Sequence, residues 1–140
     1  MAEHHDQSDF ISWCLINEQR LPPLTMIYAN VNGAWTKNLG EARKLKREGL
    51  KSGVPDLFLA FPTRRYSGFF IEMKYGKNTT SASQVKWLKK LAAVGYKCKV
   101  VYGRENAIKQ TLLYLNEDYD IKINEDLIVI SSQKKIKGFK

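Results

Sequence analysis

The sequence predicts an α/β domain in which a mixed central β-sheet is flanked by helices. Three observations support this fold class. Helical and strand patterns alternate along the chain in the order αβαββαβα. Two short apolar stretches, residues 57–61 and 69–74, have the composition of strands that are buried on both faces by helices. Finally, a length of 140 residues corresponds to one domain with its own core.

Four segments have helical periodicity together with residues that start or stop a helix. Pro22 and Pro23 end the first helix, and Gly49 stops the second, which is strongly basic. Ser81 and Gln84 have the spacing of a capping box at the start of the third helix. The predicted helices span residues 3–18, 38–48, 81–94 and 104–115.

Strands are predicted between these helices, at residues 25–30, 57–61, 69–74 and 97–102. Asn32-Gly33 is a turn signal after the first strand. Beyond residue 115 the signals weaken: residues 127–130 are compatible with a short edge strand, and we expect residues 131–140, with four lysines and no acid, to be a mobile tail. The predicted organisation is therefore a domain over residues 1–118 and a C-terminal extension with a basic tail over residues 119–140.

The basic residues are concentrated in the middle of the chain. Residues 37–110 contain seventeen of the 23 Lys and Arg residues but only five of the 14 acids, a balance of +12 against +9 for the whole sequence. Such a field attracts a polyanion, so we expect nucleic acid as a partner; the alternative is a lysine surface that only maintains solubility. The chain has no apolar run of membrane-spanning length and no secretory signal, which favours a cytoplasmic location.

Two carboxylates and a lysine are predicted to meet on one patch of the sheet. Asp56 follows a Gly/Pro turn at the start of one predicted strand, and fifteen residues separate it from Glu72 in the next. Residues i and i+2 of a strand point to the same face, so Glu72 and Lys74 stand side by side, with Met73 on the opposite face. A short loop at residues 63–67 returns the first strand to the second and brings Asp56 close to Glu72.

This group of side chains matches the requirements of metal-assisted phosphodiester cleavage. The alternative is that Glu72 and Lys74 form an exposed strand pair and that Asp56 is only a turn residue. Charges within apolar, buried strands are costly unless they are paired or bind a metal, which favours the catalytic interpretation.

Five blocks of the chain form a recognisable pattern in this order. They are residues 3–7 (EHHDQ), 32–33 (NG), 42–56 (ARKLKREGLKSGVPD), 68–74 (GFFIEMK) and 81–87 (SASQVKW). The pattern resembles the VRR-NUC domains, a branch of the PD-(D/E)XK nuclease superfamily, over about residues 3–116. One departure is Ala34-Trp35, which follows the Asn-Gly turn where the family often has small and basic residues. The resemblance implies a PD-(D/E)XK restriction-endonuclease-like fold.

The resemblance also implies roles for the three charged residues and their neighbour. Asp56 and Glu72, with the backbone carbonyl of Met73, would hold Mg²⁺ or Mn²⁺, ions that prefer oxygen ligands. Lys74 would orient the attacking water or stabilise the charge of the pentavalent state, acting either as a base or as a fixed charge.

Two further polar residues are candidates for the same site by resemblance. Glu3 would assist metal binding, although an acid in the first turn of a helix also stabilises that helix. Gln84 would lie at the rim of the catalytic site, although a capping box explains it equally well. Six basic residues on the second and third helices are expected to contact backbone phosphates, a mode that gives affinity without sequence specificity. They are Lys44, Lys46, Arg47, Lys86, Lys89 and Lys90.

The expected activity is that of a metal-dependent, structure-specific DNA endonuclease. Stand-alone phage and bacterial VRR-NUC domains resemble junction-resolving homodimers, so a four-way (Holliday) junction or other branched DNA is the expected substrate, and a homodimer and a phage or prophage origin are expected. Two alternatives stay open from the sequence. One is a non-catalytic basic DNA-binding module, and the other is a flap, single-strand or restriction-type nuclease with the same catalytic residues.

Overall fold

The computed structural model describes residues 2–30, 38–122 and 131–134, with side chains for residues 5–30 and 38–118. The α-helices are α1 (Ala2–Asn17), α2 (Leu39–Arg47), α3 (Ala82–Ala93) and α4 (Arg104–Leu115). The strands are β1 (Ile27–Ala29), β2 (Leu57–Leu59), β3 (Phe69–Lys74), β4 (Lys97–Tyr102), β5 (Tyr119–Lys122) and β6 (Ser131–Lys134). A short 3-10 helix, Pro22–Met26, connects α1 to β1.

The predicted order αβαββαβα is confirmed up to the end of α4. The bounds of β3, β4 and α4 coincide with the predicted ones, and α1, α2 and α3 differ by one residue at either end. The first strand is shorter than predicted, because the 3-10 helix takes up residues 22–26. Among the described residues, no helix is both long and apolar enough to cross a bilayer.

The central sheet has four strands in the order β1-β2-β3-β4. β1 and β2 are antiparallel, as are β2 and β3, with Leu57 opposite Ile71. β4 runs parallel to β3, with Met73 opposite Val101, and α3 makes the crossover between them. The loop predicted at residues 63–67 does return β2 to β3, and the Thr63 hydroxyl accepts hydrogen bonds from the Arg65 and Tyr66 amides within it. The sheet is therefore mixed, as predicted.

The hydrophobic core lies on one face of this sheet, beneath α1 and α4. Alternate residues of β2 and β3 point into it, which is the period-two pattern of a strand with distinct faces. Met73 is among them and is fully buried, on the opposite face from its neighbours Glu72 and Lys74. The buried strand residues of this face are Leu57, Leu59, Phe69, Ile71, Met73 and Val101.

The second face of the sheet is only partly covered, which corrects the expectation that both strands are buried on both sides. Phe58 and Phe70 stack at 4.2 Å between ring centroids, and both remain half-buried. Tyr96 packs edge-on against both rings, and Tyr28 at the sheet edge is 51% exposed. Helix α3 lies against this side, over β4, and none of its residues is fully buried. The aromatic rings themselves thus provide much of the cover on this face.

An antiparallel strand pair follows α4 and was not predicted. β5 pairs with β6, with Tyr119 opposite Lys134. The expectation of a mobile tail from residue 131 is therefore wrong for Ser131–Lys134. The Asn32-Gly33 turn, the Ala34-Trp35 departure and the possible edge strand at residues 127–130 lie outside the described residues. The domain boundary at residue 118 stays a prediction.

The loop between α2 and β2 is attached tightly to α3. The Trp87 indole Nε1 donates a hydrogen bond to the Ser52 carbonyl at 3.0 Å. Gly53 follows with a φ of +88°, and a Cβ added there would lie 2.7 Å from the backbone carbonyl carbon of Ser83. Only glycine combines this left-handed conformation with so close an approach to a helix backbone. These contacts fix the start of the segment that carries Asp56.

Replacing Gly53 with alanine should lower the free energy of unfolding by about 2–3 kcal/mol, because it adds a backbone clash to an unfavourable φ. Gly49 is a matched control, since its φ is +109° and no atom lies within 4 Å of a Cβ placed there. Gly49→Ala should cost only about 1 kcal/mol, for the backbone conformation alone. Urea unfolding followed by circular dichroism measures both, and equal losses would show that the contact with Ser83 is unimportant.

Candidate active site

Asp56 and Glu72 are connected to each other through the backbone of the β2–β3 pair. The Asp56 amide donates to Glu72 Oε1 at 3.2 Å, and the Met73 amide donates to Asp56 Oδ2 at 2.8 Å. The Glu72 carboxylate thus accepts from the backbone of Asp56, and the Asp56 carboxylate accepts from the backbone of the residue after Glu72. This arrangement follows from the register, because Asp56 directly precedes Leu57, which lies opposite Ile71. The predicted meeting of the two acids is confirmed.

Glu72 is a charged group in a buried position. The residue is only 1% exposed. The pKa of its carboxyl is raised from 4.5 to about 7: burial is the largest cause, the charge of Asp56 adds to it, and Lys74 opposes it. The ionised form of Glu72 is therefore disfavoured, first by burial and then by the neighbouring charge of Asp56.

Lys74 stands beside Glu72, as the strand periodicity predicts. Its Nζ lies 3.5 Å from Glu72 Oε2, and the residue is 8% exposed. A lysine so nearly buried is retained only with a charge partner, which Glu72 provides. Its ammonium group is held on the same side of β3 as the carboxylate of Glu72.

Gln84 performs two structural tasks at once. Its Oε1 accepts a hydrogen bond from the Ser81 amide at 2.8 Å and completes the capping box at the start of α3. Its Nε2 donates to Glu72 Oε2 at 2.8 Å. The two interpretations offered by the sequence are therefore both right about its contacts: the side chain caps α3 and also touches the acidic pair.

The oxygen donors at this site suit a hard divalent cation. Asp56 and Glu72 supply carboxylates, and the Met73 carbonyl is the third predicted ligand. A bound cation would offset the like charges of Asp56 and Glu72. Among the described side chains, no group of three His, Cys, Asp or Glu residues forms a metal-ligand cluster. Glu3 lies in the first turn of α1, and its side chain is outside the described part of the chain.

The predicted phosphate-contacting residues fall into two groups. Lys46, Lys86 and Lys90 line a pocket of about 460 Å³ between the end of α2 and α3, together with Lys51, Ser52, Ser83 and Trp87. Lys44, Arg47 and Lys89 are exposed and do not line this pocket. Lys51 is the basic residue that sequence reasoning missed. It belongs to no helix pattern, and only its position within the basic block 42–56 could have pointed to it.

Three arginines of the basic middle segment pair with acids from outside it. These pairs are Arg104–Asp9 at 3.1 Å, Arg65–Glu117 at 3.8 Å and Arg64–Asp118 at 4.0 Å. All three arginines are more than half exposed, so each pair contributes little stability. The local field for a polyanion therefore comes mainly from the lysines.

The mixed sheet with its carboxylate pair and lysine defines this protein as an α/β protein of the restriction-endonuclease-like class. Residues 2–105 match the VRR-NUC domain family, and the chain belongs to that family. The chain is also similar to a solved structure described as a VRR_NUC domain protein, with a TM-score of 0.70 and 27% sequence identity over 84% of this chain and 90% of the other. No curated protein matches the chain. Family membership makes this a nuclease-type domain, with nucleic acid as the implied substrate class.

Replacing Asp56 with asparagine should raise the free energy of unfolding by about 1 kcal/mol in the presence of a chelator. The change removes one of two neighbouring like charges, while the asparagine oxygen can still accept from the Met73 amide. Glu48→Gln is a control because it removes an exposed acid outside the site. With a net charge of +9, loss of an acid elsewhere brings no general gain, and we expect a change within about 0.5 kcal/mol. Lower stability of Asp56→Asn in urea unfolding would contradict the role of carboxylate repulsion.

Proposed function

We propose that this protein is a metal-dependent, structure-specific DNA endonuclease that hydrolyses phosphodiester bonds in four-way junctions or other branched DNA. The observation that carries the proposal is the contact between Asp56, Glu72 and Lys74 on one side of β3. Membership of a nuclease-type family supports the chemistry. The non-catalytic alternative does not explain why Glu72 is buried next to a second acid.

Asp56, Glu72 and the carbonyl of Met73 would hold Mg²⁺ or Mn²⁺. When bound, such an ion supplies positive charge that acidifies water and stabilises the charge developing on the phosphate oxygens. Glu3 remains a candidate additional ligand by resemblance. The backbone amides of Asp56 and Met73 keep the two carboxylates oriented, since the Asp56 amide donates a hydrogen bond to Glu72 and the Met73 amide donates one to Asp56.

Lys74 and Gln84 would complete the catalytic residues. The Lys74 ammonium, at 3.5 Å from Glu72, is placed to interact with a scissile phosphate or with the water that attacks it. Gln84 fixes Glu72 through its amide nitrogen and so preserves the geometry of the pair. Gln84 is in this respect a positioning residue, because it would act on the reacting atoms only by orienting Glu72.

Branched DNA is proposed as the substrate, and a homodimer as the acting form. Resolution of a four-way junction requires two symmetric cuts, which suits a two-fold dimer. The stand-alone family members that the sequence resembles support both points. A flap, single-strand or restriction-type substrate would use the same catalytic residues, so substrate preference has to be measured directly.

Mn²⁺ should raise the melting temperature of the wild-type protein by several degrees, because binding to the folded state alone stabilises that state. Asp56→Asn should lose most of this shift, since one of the two carboxylate ligands is gone. Glu48→Gln should keep it. A melting temperature that responds to Mn²⁺ equally in wild type and Asp56→Asn would place the ion elsewhere.

Wild-type protein with Mg²⁺ or Mn²⁺ should cleave a synthetic four-way junction faster than a linear duplex of the same sequence. Asp56→Asn and Lys74→Ala should each reduce the cleavage rate by a factor on the order of 10³, while DNA affinity changes little. Gel analysis of labelled strands measures the first effect, and fluorescence anisotropy in EDTA measures the second.

Two outcomes of this assay separate the alternatives. Full cleavage by Asp56→Asn would remove the assigned site, and equal cleavage of junction and linear duplex would remove the structural specificity. Light scattering on the same samples tests the dimer, which requires twice the mass of the 16.1 kDa chain.

A further inference from the structure

A pocket of about 460 Å³ lies between α3 and the end of α2 with the segment that follows it. Four lysines, two serines and one tryptophan line it, and none of its lining residues is acidic. Its volume falls within the range of small-molecule binding pockets. The lining residues are Lys46, Lys51, Ser52, Ser83, Lys86, Trp87 and Lys90.

Within the described part of the chain, the lysines of this pocket form no ion pair with an acidic side chain. The ion pairs among the described residues involve Arg64, Arg65, Lys74 and Arg104 instead. Four like charges around one concave space repel each other, and an anion inside it would relieve that repulsion. A surface lysine near the C-terminal end of a helix is favourable by itself, which accounts for Lys46 on α2 and Lys90 on α3. It does not account for Lys51 and Lys86.

The start of α3 adds to the attraction for an anion. Ser83 lies in the first turn of this twelve-residue helix, and that turn contains no acidic residue. The positive end of the helix is therefore not offset by a charged side chain of its own first turn. Lys86 lies one turn further on, still near the N-terminal end of α3. Its charge therefore adds to the positive end of the helix dipole.

The walls of the pocket are held in place. The Trp87 indole is fixed by its hydrogen bond to the Ser52 carbonyl, and Lys90 Nζ lies 5.7 Å from the centre of the Trp87 ring. Gly53 packs against the backbone of Ser83. The lysines are thus mounted on two segments that cannot easily separate, which distinguishes this group from lysines scattered over a surface.

The pocket and the carboxylate pair share the same supports. Ser83 precedes Gln84, whose amide binds Glu72, and Ser52 begins the segment that leads through Gly53 to Asp56. A strand whose phosphate lies at the carboxylates would therefore pass close to the lysines. We propose that this pocket binds one phosphate group of the DNA strand next to the scissile phosphate, and so fixes which linkage is presented for cleavage. The proposal rests on the proposed function, and it assigns specific binding to Lys51, Lys86 and Lys90, with only general attraction left to Lys44 and Lys89.

The test measures affinity in EDTA, so that it does not depend on cleavage. A labelled four-way junction is titrated with wild type, Lys51→Ala, Lys86→Ala, and the controls Lys44→Ala and Lys89→Ala, and melting temperatures verify folding. Lys86 and Lys89 lie on the same helix and lose the same charge, but only Lys86 lines the pocket. We expect each pocket variant to weaken binding about tenfold and each control no more than about threefold. Equal losses would overturn the proposal, as would a wild type that does not bind DNA.

A second arm identifies the phosphate itself. Junctions are prepared with a single neutral methylphosphonate at each linkage in turn near the cut. At one linkage the neutral group should weaken wild type about tenfold but leave the Lys51→Ala/Lys86→Ala double variant unchanged, because the two losses concern one contact. If the pocket binds a terminal phosphate instead, no single internal linkage will show this effect. Removing the 5′-phosphate from a strand end will then weaken binding by wild type but not by the double variant. Additive losses at every position would overturn the proposal, whereas loss of cleavage alone would affect only the proposed function.

Discussion

The two hydrogen bonds that join Asp56 to Glu72 and Met73 are the constraint on which the candidate site depends. The Asp56 amide binds the Glu72 carboxylate, and the Asp56 carboxylate binds the Met73 amide. These contacts exist only in one register of β2 against β3, because a shift by one residue would turn Glu72 and Lys74 toward the core. The core residues Leu57, Ile71 and Met73 enforce that register from the other face. Packing on one side of the sheet therefore fixes the chemistry on the other.

The same contacts place a destabilising group inside the fold. Glu72 is almost fully buried next to another carboxylate, with a single lysine as counter-charge. Burial of such groups costs free energy that hydrogen bonds offset only in part. The apolar core beneath α1 and α4 offsets this cost, because most of the buried apolar side chains pack there. A site of this kind is typical of a protein that gives up stability for function.

The sequence was sufficient where the information is local. The bounds of β3, β4 and α4 follow from periodicity and from the glycines beside them, and the side-by-side position of Glu72 and Lys74 follows from strand geometry. It failed for Ser131–Lys134, which pair with the preceding strand β5, because a polar, lysine-rich composition conceals the strand. It also overestimated the cover on the second sheet face, since apolar strand residues do not reveal whether a helix or another aromatic ring covers them. The pocket at Lys51 and Lys86 could not be predicted, because it depends on how a loop and a helix approach each other.

Gln84 restricts which amino acid the chain can use at its position. Its carbonyl oxygen is occupied by the Ser81 amide, so the orientation of the carboxamide is fixed and only its NH₂ group can face Glu72. A glutamate could keep the cap but would bring a third negative charge to the pair. A lysine could neutralise the pair but would leave the Ser81 amide without its acceptor. An asparagine has both groups on a shorter stem. Two separate requirements therefore restrict substitution at position 84: the start of α3 must be capped, and the side chain must donate a hydrogen bond to Glu72.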